Sequence, residues 1–166
     1  EQHADWIAEK KAVMTKVAPP AQNQRFEDGS LIWLAGKQYP LRLTKKEAKG
    51  LVFRESVGFE LSAREQKFAA ERLTAFYREH TRQAVSKLAA RYAKQWGLQI
   101  NEIRVTSAKR RWGSCSRRNT LNFSLRLAMV PPEALEYVVA HELAHTRHHN
   151  HSSAFWAFLG QILPDY

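Results

Sequence analysis

Five of the seven histidines in this 166-residue chain lie between positions 141 and 151. His141 and His145 are four residues apart, and four residues of an α-helix turn through about 400°, so both side chains project from one face. Two such imidazoles can bind one zinc ion at about 2.0–2.1 Å. Glu142 is not needed as a ligand, and its position in this pattern is typical of a general base that deprotonates a metal-bound water. The spacing predicts zinc-dependent hydrolysis.

A third ligand is required, because two histidines bind zinc too weakly. His148 shares the helical face but lies seven residues from His141, about 10.5 Å along a regular helix. His151 follows Asn150, at which we expect the helix to stop and the chain to turn back. We therefore predict His151 as the third ligand. A structural zinc usually has four protein ligands, often cysteines, whereas three histidines leave a position open for water.

The elements that must position these residues can be predicted from the C-terminal half. A helix is expected to begin at Pro131-Pro132-Glu133, since proline is favoured in the first turn, and to continue to residue 149. Ser152 or Ser153 can cap a last helix, which Pro164 ends. Residues 100–106 and 120–127 alternate as strands and are predicted to pair in one sheet.

The N-terminal half has a different pattern. We expect a short amphipathic helix over residues 2–17, then three or four short strands between Leu31 and Phe59. A long helix is predicted over residues 62–96, with a Ser62–Glu65 capping box and Gly97 as its C-cap. Its predicted buried stripe is Ala69, Leu73, Phe76, Tyr77, Ala84, Leu88 and Tyr92. Its other faces carry the basic residues Arg64, Lys67, Arg72, Arg78, Arg82, Lys87, Arg91 and Lys94.

The composition restricts the function classes further. Lys and Arg total 26 against 16 acidic residues, a net charge of +10 with a pI near 10.0. This charge either attracts a polyanion such as nucleic acid or a nucleotide, or it is a solvated basic surface. No apolar run approaches the roughly 20 residues that span a bilayer, so no membrane segment is expected. The single cysteine, Cys115, favours a reducing compartment, and we predict a cytoplasmic protein. The chain begins with Glu1 rather than Met, as expected of a fragment or processed chain.

Four stretches carry a resemblance to a known family. They are WGSCS at 112–116, the strand around Asn122–Leu125, YVVAHELAH at 137–145 and NHSSAFW at 150–156. Together they resemble the YgjP-like predicted metal-dependent hydrolases, which are related to the SprT-like and Wss1-like zinc metallopeptidases. The resemblance is dense over about residues 99–166 and looser before them.

This resemblance implies an α+β, zincin-like metallopeptidase domain with a small, mostly antiparallel sheet, a long helix and an HExxH active-site helix. It places zinc on His141, His145 and His151 and the base on Glu142, with a peptide or protein as substrate. Residues 61–166 would be the catalytic domain, and residues 1–60 a helix and small β-strand region with a truncated N-terminus. His148 stands where metzincins have a turn glycine, and both methionines precede the motif, so the metzincin class is rejected.

Several alternatives remain open on the residues alone. One alternative is that the activated water attacks a nucleotide phosphoanhydride, and another is that the chain is a basic nucleic-acid-binding module with a structural metal. The sequence predicts no particular oligomeric state. Cys115 is expected to pack rather than to act as a nucleophile. Any of Arg110, Arg111 and Arg126 could stabilise an oxyanion or bind an anionic substrate.

Overall fold

The computed structural model describes residues 25–45 and 50–164, and the helix predicted over residues 2–17 lies outside them. Four short strands form the first sheet: β1 (Leu31–Leu34), β2 (Lys37–Thr44), β3 (Val52–Arg54) and β4 (Gly58–Ser62). Their order is β1-β2-β4-β3. The β1–β2 and β3–β4 pairs are antiparallel, whereas β2 and β4 are parallel. The strands predicted between Leu31 and Phe59 are confirmed.

The long helix begins later than predicted. Residues Ala63–Phe68 form a 3₁₀-helix, and helix α1 then extends over Ala69–Trp96. The predicted capping box is wrong, because the Ser62 side chain makes no capping hydrogen bond. The Glu65 carboxylate instead accepts hydrogen bonds from the Gly50 backbone N–H and the Arg72 guanidinium. Gly97 is the C-cap, as predicted, with a left-handed φ of 62°.

Helix α1 buries a stripe that runs along its whole length. The buried residues are Ala69, Leu73, Tyr77, Thr81, Val85, Ala89 and Tyr92. Phe76, Ala84 and Leu88, which were predicted in the stripe, are half-buried at its edge. Thr81 was missed because it is polar, and its hydroxyl is satisfied by donating to the Leu125 carbonyl oxygen at 3.1 Å. One helix thereby supports both halves of the described structure.

The second sheet contains the pairing predicted from the sequence. Strands β5 (Glu102–Thr106) and β7 (Thr120–Ser124) are parallel, and β6 (Gly113–Cys115) pairs antiparallel with β7. The order is β5-β7-β6, so β6 is an edge strand. The α+β class is confirmed. Three of the five strand pairs are antiparallel, and the strands form two mixed sheets rather than one.

Two further helices complete the fold: α2 (Pro132–Ala144) and α3 (Ser153–Ile162). They pack with the second sheet and the C-terminal part of α1 in one hydrophobic core. The first sheet packs on the N-terminal part of α1 in another. The β1–β2 turn is bonded to the C-terminal half of the chain, because the Ala35 and Gly36 N–H groups donate to the carbonyls of Ala128 and Met129. The division into residues 1–60 and 61–166 stays a prediction.

Candidate metal centre

Helix α2 ends sooner than the sequence indicated, and this determines where the later histidines lie. We predicted a stop at Asn150, but the last helical residue is Ala144 and His145 is the C-cap. The Thr146 N–H and hydroxyl both bond to the Leu143 carbonyl, at 3.0 and 2.7 Å. These i→i−3 bonds tighten the chain and end the α-helical pattern. The chain then turns back and enters α3 at Ser153.

The turn brings together the three histidines that were predicted as ligands. One ring nitrogen of each of His141, His145 and His151 lies within 4.8 Å of the other two. The Nε2 atoms of His141 and His151 are 3.1 Å apart. His148 and His149 do not belong to this cluster. Among the described residues, Glu142 is not part of any such group either.

His148 contributes through its backbone rather than its ring. The Nδ1 atom of His145 lies 3.0 Å from the His148 carbonyl oxygen. Because a carbonyl oxygen only accepts, this contact makes Nδ1 the protonated nitrogen and leaves the Nε2 lone pair of His145 available. A backbone carbonyl on the far nitrogen is the usual way in which a metal-binding histidine is oriented.

Phe155, in the first turn of α3, contacts all three histidines, a role that the sequence did not indicate. It is fully buried, and its ring centroid lies 5.0, 4.5 and 4.8 Å from those of His141, His145 and His151. Trp156 stacks against His151 at 5.7 Å. Phe155 therefore forms a common floor for the three imidazoles. No spacing in the sequence identifies it, because its contacts with His141 and His145 are made between segments that are distant in sequence.

Burial and the neighbouring imidazoles disfavour the charged forms of His141 and His145. Burial, with contributions from nearby His145 and His151, lowers the pKa of His141 to about 4. Burial also lowers the pKa of His145. The Nδ1 atom of His141 is buried without a hydrogen-bond partner in the described part of the chain. A buried polar atom without a partner costs stability. Three imidazoles whose ring nitrogens converge are a donor set that suits zinc.

The side chain of Glu142 is buried where helix α2 packs against the edge strand β6. Its residue is 6% exposed, and burial raises the pKa of its carboxyl to about 8. A Cβ atom added to Gly113 of β6 would lie 2.6 Å from both Cγ and Oε1 of Glu142. Real Cβ atoms do not approach so closely, so any other residue at position 113 would force Glu142 or β6 to shift. The WGSCS stretch at 112–116 therefore lies beside the Glu142 carboxyl.

The other polar residues of this region have distinct positions. Burial, with a contribution from Glu142, raises the pKa of the Cys115 thiol to about 11. The thiol therefore stays protonated at neutral pH and is a poor nucleophile. The Arg126 guanidinium lies over the Trp112 ring at 4.1 Å and donates to the Lys109 carbonyl. Arg110 and Arg111 are exposed.

Comparison with known proteins identifies the class and the family. Residues 1–166 match the family model described as the YgjP-like metallopeptidase domain. The protein is a metal-dependent hydrolase of the peptidase type. It belongs to the YgjP-like family, as the resemblance implied.

A solved structure is also similar to part of the chain. It is that of the metallopeptidase zymogen abylysin from Pyrococcus abyssi, with 25% sequence identity and a TM-score of 0.44 over 48% of this chain and 80% of that one. No curated protein has a significant match. Within residues 25–45 and 50–164, none of the helices has the length and hydropathy needed to cross a membrane.

Proposed function

We propose that this protein is a zinc peptidase in which His141, His145 and His151 bind the ion and Glu142 is the general base. The observation that carries the proposal is the convergence of three imidazoles beside a buried carboxyl that is not part of their cluster. Zinc, when bound, supplies the Lewis acidity that lets a water molecule lose its proton near neutral pH. Imidazole nitrogen is a ligand type that zinc prefers.

Glu142 has the properties that the proton transfers require. Burial raises its pKa to about 8 in the metal-free chain, and a zinc ion bound nearby would lower this pKa and favour the carboxylate form that accepts a proton. The carboxylate would take the proton of the attacking water and later deliver it to the leaving amine. The contact with Gly113 restricts the carboxyl to a narrow range of positions, because it cannot swing towards β6.

The open edge of β6 supports an extended peptide as substrate. Ser124 N–H donates to the Trp112 carbonyl and Ser116 N–H to that of Thr120. In an antiparallel ladder hydrogen-bonded pairs alternate, so the backbone groups of Gly113 and Cys115 point away from β7. A substrate strand can pair with these groups and pass directly beside Glu142. A phosphoanhydride cannot form this backbone pairing with β6, and we favour the peptide over the nucleotide.

The cellular location belongs to the same proposal. A single cysteine cannot form an internal disulfide, and Cys115 is a free, half-buried cysteine. Both features suit a reducing compartment, and we propose that the protein acts in the cytoplasm.

The proposal is tested by metal analysis together with peptide cleavage. The purified chain should contain about one zinc per molecule, as expected for a single three-histidine site, and should cleave members of a synthetic peptide library detected by mass spectrometry. Cleavage should stop after a zinc chelator is added and return when zinc is restored. Zinc binding without cleavage of any peptide would contradict the peptidase function. Cleavage that survives complete removal of metal would contradict the metal centre.

A further inference from the structure

We propose that the substrate of this site is an acidic peptide segment, read by two basic loops at the ends of β6. This inference rests on the peptidase function proposed above and specifies its substrate class. The first basic loop contains Lys109, Arg110 and Arg111, just before β6. The second contains Arg117 and Arg118, in the turn between β6 and β7. All five residues are exposed.

The charge of the molecule is concentrated around this strand. Residues 103–132 contain seven Lys or Arg residues and no Asp or Glu. Three basic residues of helix α1 differ in that their charges are paired. Arg72, Arg82 and Arg91 form ion pairs with Glu65, Glu79 and Glu136, respectively. Within the described part of the chain, no such ion pair involves any of the five residues in the two basic loops. Their charge remains available to a ligand.

Both basic loops are held in place by internal hydrogen bonds. In the second, the Ser116 hydroxyl accepts from the N–H groups of Arg118 and Thr120. Asn119 takes a left-handed φ of 56° there. In the first, the Ser124 hydroxyl donates to the Ala108 carbonyl, and Arg126 donates to that of Lys109. Preorganised loops present their charges at defined positions, which favours selection of a ligand pattern rather than diffuse attraction.

The positions of the loops define a spacing for the ligand. Arg111 and Arg117 are six residues apart, which is roughly 20 Å along an extended chain. A peptide paired with the edge of β6 would place its central residues beside Glu142 and its flanking residues beside the two basic loops. Acidic side chains about six residues apart, on either side of the scissile bond, would match this arrangement.

An acidic peptide fits these features better than a nucleic acid. Proteins that bind single strands stack the bases on exposed aromatic rings. Trp112, which directly follows the first basic loop, is half-buried and covered on one face by the Arg126 guanidinium. The free backbone groups of β6 match the pairing pattern of a peptide strand, which a nucleic acid lacks.

The test measures binding to the zinc-loaded Glu142→Gln variant, which separates recognition from turnover. The probes are three fluorescein-labelled twelve-residue peptides in which all residues other than Glu are neutral. The first carries two Glu residues at each side of a six-residue centre, the second has the four Glu residues clustered in the centre, and the third has Gln in place of Glu. A twelve-nucleotide single-stranded DNA is the fourth probe.

We expect the flanked peptide to bind at least tenfold more tightly than the clustered and the Gln peptides. Arg117→Glu with Arg118→Glu should abolish this preference, as should Lys109→Glu with Arg110→Glu at the other loop. The matched control is Lys87→Glu with Lys94→Glu on α1, which changes the net charge equally and should leave the preference intact. Circular dichroism and zinc content verify that each variant is folded.

Three results would overturn the inference. One is equal affinity for the three peptides, and another is a preference that both pairs of loop variants leave unchanged. The third is DNA binding that depends on the loops while peptide binding ignores the Glu residues, which would make this surface a nucleic-acid contact. Failure of the peptidase proposal is distinct, because it appears as wild-type protein that cleaves no member of the unbiased library.

Discussion

At the scale of single residues, His151 and His148 provide a matched test of the metal centre. His151→Ala removes a ring nitrogen that lies 3.1 Å from Nε2 of His141, so zinc affinity should fall by at least ~10²-fold, beyond the effect of losing an outer-shell partner. His148→Ala removes a ring but keeps the carbonyl that orients His145. The zinc affinity of His148→Ala should stay within about threefold of the wild-type value, since the backbone contact that orients His145 is retained.

Competition with a fluorescent zinc chelator measures both dissociation constants on the folded proteins. The opposite order of effects would mean that the ion is held by a different set of histidines. Equal and small effects of the two substitutions on zinc affinity would contradict the three-histidine centre.

Gly113 provides a second residue-scale prediction. In Gly113→Ala the new methyl group would lie 2.6 Å from the Glu142 carboxylate, and either the carboxylate or β6 must shift. We expect kcat to fall at least tenfold while zinc content is unchanged, because a small misplacement of a catalytic group is costly in rate. Ser114→Ala, one position along β6, meets no such contact and should retain most activity. Wild-type kcat in Gly113→Ala would show that Glu142 does not need this close packing.

At the scale of elements, helix α3 positions the three ligands through Phe155. Phe155→Ala should lower the free energy of unfolding by about 3–5 kcal/mol, as for other buried aromatic residues. It should also weaken zinc binding, because the three imidazoles lose their common floor. Phe158→Ala is the control: this residue is similarly buried, but its ring contacts Trp96 and His148 instead.

Urea unfolding of metal-free protein and zinc titration of native protein separate the two effects. Both variants should be destabilised, and only Phe155→Ala should have a raised zinc dissociation constant. Equal zinc affinity in the two variants would mean that Phe155 contributes to the hydrophobic core but does not position the ligands.

The elements also show which features a sequence can predict. The HELAH face was predictable because the spacing of His141 and His145 follows from helix geometry alone. The end of α2 was not, since it depends on how Thr146 bonds to Leu143 and on the contact between His145 and His148. The capping box failed for a similar reason, because Glu65 finds partners in Gly50 and Arg72 that are distant in sequence.

Strand β6 and the role of Phe155 were not predicted from the sequence, for different reasons. Strand β6 has three residues, too few for an alternating pattern, and it is defined by pairing with β7. Phe155 was recognised as apolar, but its contact with three histidines from other segments is a tertiary feature. The predicted ligands came together all the same, since the sequence places His151 soon after α2 and immediately before α3.

At the scale of the whole molecule, Glu142 should make the stability of the metal-free protein depend on pH. Its pKa is about 8 in the folded chain against an ordinary value of 4.5. A carboxyl with a raised pKa stabilises the folded state at low pH, and this contribution is lost as the pH rises towards the folded pKa. His141 acts in the opposite sense, but only below its ordinary pKa of 6.5.

We therefore expect the metal-free protein to lose about 1–2 kcal/mol of stability between pH 6.5 and 8. Glu142→Gln, which cannot ionise, should remove this loss. Urea unfolding at the two pH values, with a chelator present, measures the loss of stability in the wild type and in Glu142→Gln. If the stability of Glu142→Gln still depended on pH in the same way, the dependence would come from another group. The Glu142 carboxyl would then not be held in a desolvated position.

The most direct test of the whole account is the turnover of zinc-loaded Glu142→Gln. Gln keeps the size and hydrogen-bonding capacity of the side chain and removes only the group that accepts a proton, while the three histidines still bind the ion. Zinc content and fold should equal those of the wild type, and peptide cleavage should fall by at least ~10²–10⁴-fold, the contribution of a general acid–base group. Loss of zinc together with activity would make Glu142 a ligand, and full activity with zinc retained would place the base elsewhere; either result would contradict the proposed mechanism.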